Sequence, residues 1–207
     1  MGPARDRLRQ ATADIHNALH GAAPFLLIEQ GRIGHAGYGA LLVLLHRYHC
    51  AMASACGEGA AALRAPELAA AHRARIARLR QDIAFLNVPL AETLKDPVRD
   101  GAFSIGCLYT VLGSTLGGKV IARQLEGLLP DGRGRSFFAG GPDDAAHWHL
   151  FCTRLEASAH PLAAVEAGAR HAFAWFALLL EDWRDIRPLP QSDNDGAAPW
   201  ISSRRSG

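Results

Sequence analysis

The chain has 207 residues, of which 49% are apolar, and a formal net charge of +2. That length supports one domain with a full hydrophobic core, and so slight a charge, with no basic run interleaved with aromatics, argues against nucleic acid as a partner. Ala and Leu dominate over Val, Ile and Thr, which favours helix over sheet.

In chain order, the opening MGPARDRLRQ is charged and lacks an apolar h-region, so no signal peptide is expected. The spacing then predicts six helical stretches. The first covers about 4–19, with Leu8, Thr12, Ile15 and Leu19 as its apolar stripe; Gly21 and Pro24 interrupt it. A second covers about 36–56 and stops at Gly57. A third starts near Pro66, a good first-turn residue. It carries Leu68, Ile76, Leu79, Ile83 and Leu86 on one side, with Arg73, Arg78, Arg80 and Asp82 as a solvated face. The fourth, about 97–129, contains a cluster of glycines and ends at Pro130, Asp131 and Gly132. The fifth covers about 143–158 and the sixth about 161–186. This is an all-α single domain over 1–187, with 188–207 as a tail too polar and too rich in Pro, Gly and Ser to order. No apolar stretch reads as long as the roughly 18 residues of a membrane span, so no membrane partner is expected. Cys50, Cys56, Cys107 and Cys152 have no CxxC or metal-finger spacing and read as reduced thiols of a cytosolic protein.

Two segments could carry chemistry. His16 lies on the flank of the first apolar stripe. Arg9 precedes it by two turns on nearly the same face, roughly 10 Å away along the axis. A neutral imidazole is a good axial ligand for haem iron, and a guanidinium at that distance matches the propionate edge. The plainer reading is a boundary histidine and a surface charge. The second segment is Tyr109-Thr110-Val111-Leu112-Gly113-Ser114-Thr115-Leu116-Gly117-Gly118-Lys119. Each helix-interior glycine costs about 1 kcal/mol relative to Ala, so three together need a reason. One is backbone lying against something flat, at a bend; the other is close packing of two helices. Gly113 to Lys119 also fits GxxxxGK, but Val120 stands where a phosphate loop needs Ser or Thr, and the flanks read as helix. His46 and His49 read as core or boundary residues, with no ExxH pair to make a di-iron site. Phe173, Trp175 and Phe176 are compatible with core or pocket.

Taken together, ATADIHNALH near the N-terminus and LYTVLGSTLGGKV from residue 108 resemble the biliverdin-producing haem oxygenases of the bacterial, bacteriophytochrome-associated type. The resemblance covers about residues 5–186. It implies a helical bundle with haem held between a proximal N-terminal helix and a kinked glycine-rich distal helix. His16 then matches the iron ligand, and Gly113, Ser114, Gly117 and Gly118 the distal segment where oxygen reacts. Arg9 matches a basic propionate contact, Tyr109 lies near a propionate tyrosine of the family, and Phe173 matches an apolar pocket residue. Cys152 falls where the family carries a basic residue, so Lys119, Arg123 and Arg154 are candidate replacements, and Thr12 is a further candidate haem contact. Ser114 stands where many relatives carry aspartate, and His20 where many carry a carboxylate that orients the proximal imidazole. The activity implied is cleavage of haem, both cofactor and substrate, to biliverdin, CO and ferrous iron. It uses O2 and electrons from a reductase or ferredoxin, with a bacteriophytochrome as the implied bilin acceptor. A non-catalytic haem carrier or sensor, or a haem-free helical protein of the same superfamily such as a thiaminase-like enzyme, is compatible with the same pattern.

Overall fold

Pro3 opens α1 (Pro3–His20), which buries Leu8 and Thr12 and ends at Gly21; a proline is tolerated in that first turn, where its missing N–H is not needed. The computed structural model describes residues 2–93, 96 and 100–183, all helix, turn or loop with no strand. After α1 come α2 (Ala23–Glu29), α3 (His35–Ala51), α4 (Ala53–Ala62) and α5 (Pro66–Phe85). These are followed by α6 (Gly101–Gly113), α7 (Thr115–Gln124), α8 (Ser136–Ala139), α9 (Asp144–Glu156) and α10 (Leu162–Asp182). The tail expected at 188–207 lies outside the described residues.

The differences from the six expected stretches have local causes. The second stretch breaks at Met52 into α3 and α4. Gly57 does not stop it, and α4 runs on to Ala62. Gly59 lets α4 cross α6, since a Cβ there would stand 2.5 Å from the Ser104 carbonyl. The fourth stretch breaks at Ser114 into α6 and α7. The short α2 and α8 were not anticipated.

α6 is the central helix, packed against α10, α4 and α9. Its residues Ala102–Leu108, all buried, explain why Gly101–Gln124 is long and apolar enough, by length and composition, to cross a membrane. That corrects the expectation that no stretch reaches that length; half of the window is covered by the fold itself. One apolar cluster surrounds α6 and takes in Leu8 of α1. A second joins α2, α3, α5, α7 and α8, and Phe176 of α10 packs against both.

The charged face expected on α5 is partly wrong. Asp82 is buried because its carboxylate accepts from the Ser136 amide at 3.0 Å, the Ser136 hydroxyl at 2.7 Å and the Phe137 amide at 2.8 Å. Those bonds satisfy the first amides of α8. His49 and His72 are also buried and share a hydrogen bond of 3.1 Å between Nδ1 and Nε2. Burial pushes both imidazoles down, with the Arg75 charge acting the same way, and His72 reaches about 3.

This has a sign. The unfolded chain takes up protons on imidazoles below about pH 6.5, while folded His72 stays neutral to about 3. Stability is therefore present above about pH 6.5 and lost as pH falls across that window. Each imidazole held neutral should contribute a slope of about 1.4 kcal/mol per pH unit. Urea melts between pH 7.5 and 5.5, above most carboxylate titration, should show this decline. A flat profile would mean that the pair takes up protons without unfolding.

Candidate functional site

α1 packs on α10, α9 and α2, and α7 packs on α8 and α2. α2 thus ties the end of α1 to α7. Further back, Thr12 of α1 lies close enough to Tyr109 of α6 to affect its titration. Between these ties, α1 and the α6–α7 bend do not pack extensively on each other.

On α1 His16 is exposed. Its ring stands edge-on to Phe173 of α10 at 5.9 Å between centroids and to His20 at 4.7 Å. Burial and then the His20 charge push its pKa down, against an opposing hydrogen bond from Asn17. The imidazole is therefore neutral near pH 7, the form that ligates a metal. Thr12 is buried and bonds the Leu8 carbonyl at 2.9 Å. Tyr109 is half-buried against Trp148 and Phe151. Burial raises its pKa, opposed by Thr12 and the charges of Arg5 and Arg9. Arg9 is exposed, so this edge carries Arg9, Tyr109 and a residue the sequence reading missed, Arg5, whose guanidinium lies 5.9 Å from the Trp148 ring.

Along the α6–α7 bend the glycines separate by what surrounds them. A Cβ on Gly117 would meet nothing within 4 Å, and one on Gly113 would make ordinary contact with the Trp148 ring at 3.5 Å. Gly118 is buried, and a Cβ there would stand 2.7 Å from the Phe138 carbonyl. Gly118 therefore lets α7 lie on α8. Leu116 and Val120, one turn apart, are exposed large apolar residues. Lys119 and Arg123 are exposed on the same helix.

Ser114 sits at the bend. It donates to the Val111 carbonyl at 2.8 Å and accepts from Arg75 Nη2 at 3.0 Å. Arg75 is buried, with its guanidinium 4.5 Å from the Phe137 ring. Burial lowers its pKa to about 10, opposed by Asp144, so it stays charged at neutral pH. Arg75 was not singled out from sequence; its one signal was an arginine one turn before the buried Leu79. A separate groove of about 480 Å³, lined by His35, Phe85, Leu86 and the Leu128–Asp131 turn, holds none of these residues.

No protein-family model matches the chain. It is 36% identical over 109 residues to a haem oxygenase of Xanthomonas campestris pv. campestris (strain 8004), a match spanning 51% of this chain and 66%, just under two thirds, of that relative. Its fold is similar to the NO- and CO-bound haem oxygenase from Neisseria meningitidis, with a TM-score of 0.66, 26% identity, and coverage of 90% of this chain and 94% of that one. It is also similar in fold to haem oxygenase-1 of the cyanobacterium Synechocystis sp. PCC6803 in complex with haem, with a TM-score of 0.64, 17% identity, and coverage of 88% and 93%.

Proposed function

We propose that this chain, which belongs to the haem oxygenase family, holds haem between α1 and the α6–α7 bend and cleaves it to biliverdin, CO and ferrous iron. What supports the reading is an exposed His16 on α1, its imidazole neutral near pH 7, together with the open backbone at Gly117 on α7. The residues present fit the group. Gly117 leaves the space a side chain would fill. Phe173, Leu116 and Val120 offer apolar surface to a flat ring, and Arg5, Arg9 and Tyr109 form a polar edge that suits carboxylates.

Haem, when bound, supplies the iron that activates O2 and the meso carbon that is attacked. His16 would hold the iron through its neutral imidazole, packed by Phe173. α7 would offer backbone to the ligand at Gly117, a position with no side-chain acid or base. Ordered water along the bend can then supply protons without a strong acid pulling on the oxygen. Arg75 fixes the Ser114 hydroxyl, and Arg75 Nε and Tyr48 Oη are buried polar atoms without a protein partner among the described residues. Such groups are ones that water satisfies. Lys119 and Arg123 would serve propionates or an incoming electron donor. The reading carries with it a reductase or ferredoxin as that donor, a bacteriophytochrome as bilin acceptor, and a cytoplasmic setting.

Haem titration followed by one turnover with ascorbate or a reductase, with chromatography of the product, tests the reading. A Soret band and a bilin are expected; a Soret band with intact haem would make the chain a carrier. Two neighbouring substitutions test the place of α7. Gly117→Leu should leave stability unchanged or raise it by up to about 1 kcal/mol, since an exposed helix gains by losing glycine, yet cut haem affinity and bilin yield severely. Gly118→Leu should instead lower stability by about 1–3 kcal/mol or more, through overpacking on α8. Normal turnover in Gly117→Leu would remove α7 from the haem site.

A further inference from the structure

His16 and His20 are four residues apart, so a helix places both on one face. Their rings are in contact, at 4.7 Å between centroids and 73° between planes, and both residues are exposed. Most of the other described histidines are committed elsewhere. His49 bonds His72, His46 meets Arg80 and Cys50, His160 meets the Ala62 carbonyl and His171 pairs with Asp96. His20, by contrast, has no hydrogen bond or ion pair to any described residue. No group of three or more His, Cys, Asp or Glu is placed to hold a metal among the described residues, so this pair is a two-ligand arrangement.

We propose that His16 and His20 together chelate a divalent late first-row transition ion in the haem-free chain, and that this ion and haem exclude one another. Two imidazoles one helical turn apart are the spacing by which helices present paired histidines to zinc. Imidazole suits zinc, nickel, copper and iron. Water fills the remaining coordination positions, as it does in sites with open positions. The burial that lowers the His16 pKa keeps its nitrogen available at neutral pH. The chelate stands on the ring contact alone; the exclusion rests on the proposed role of His16 toward haem. It follows because one imidazole cannot serve both ions. Where a carboxylate one turn along would orient His16, His20 offers a second ligand instead.

The test uses the untagged, haem-free, full-length chain. Calorimetric titration with Ni(II) should find one ion per chain, weakened at least about tenfold in His16→Ala and in His20→Ala. Both substitutions lie on an exposed helix face where alanine is the better helix former, and far-ultraviolet ellipticity checks that the chains stay folded. Haem titration with excess Ni(II) should show weakened haem binding in the wild-type chain and no such effect in His20→Ala. Nickel affinity unchanged in His20→Ala would overturn the chelate. Nickel bound through both histidines with haem binding untouched would overturn the exclusion. If His16→Ala loses nickel but binds and cleaves haem as before, the chelate stands and the proposed iron ligand is wrong.

Discussion

His16→Ala is expected to lower bilin formation by about a hundredfold or more and to shift the Soret band of the ferric haem complex. Outer-shell changes alone cost metal sites 10–100-fold, and this change removes the proposed ligand itself. Folding should be untouched: His16 is exposed, and its ring contacts are with His20 and the half-buried Phe173. Loss of activity therefore cannot be read as loss of structure, and an unchanged thermal melt is part of the expected result. Residual turnover has one named source, His20, and should vanish in the double substitution. If the single variant keeps the wild-type spectrum and yield, another group holds the iron.

Gly106→Val should prevent folding. A Cβ on Gly106 would run into the Val165 carbonyl and the Ala169 amide of α10, and one on Gly168 into the Phe103 carbonyl of α6, far closer than side chains ever approach. The two helices therefore cross with backbones touching. Hydroxyl and thiol bonds reinforce the crossing, from Thr110 to the Ala169 carbonyl at 3.2 Å and from Cys107 to the Gly168 carbonyl at 3.5 Å. The obstruction is backbone, which cannot swing aside, and α6 is the helix on which the first apolar cluster is built. A loss above about 4 kcal/mol, in the class that mutations reach only by disrupting a core, should appear as insoluble protein or a lost urea transition. A soluble Gly106→Val chain within about 1 kcal/mol of wild type would show that α6 and α10 can part.

The same contrast marks what could be read from the chain alone. Apolar spacing was enough for the long helices, because burying a stripe decides where such helices lie; the same spacing made His16 a candidate beside the stripe of α1 but left a plain boundary histidine open, and only the resemblance gave it a role. The joint at Met52 was not legible, since methionine is acceptable inside a helix; a bend in the glycine-rich stretch was expected, but not its place at Ser114. Nor was the burial of Arg75 and Asp82, whose partners stand 39 and 54 residues away. Gly117 and Gly118 are adjacent and differ by about 100° around the helix. Only the position of α8 decides that one is open and the other covered. Gly106 passed unnoticed because its reason is Gly168, on another helix.

The tether between Asp82 and the start of α8 has a kinetic side. α8 backs α7 at Gly118, so the segment bearing Gly117 is completed only when a loop of more than fifty residues has closed. Closing such a loop costs entropy before any contact repays it. In the haem-free chain this segment should behave as a late-forming foldon, exchanging its amide hydrogens by local opening well before α6 does. Ligand entry would then need no separate gate, since the segment proposed to receive haem would also be the part of the fold that opens most easily.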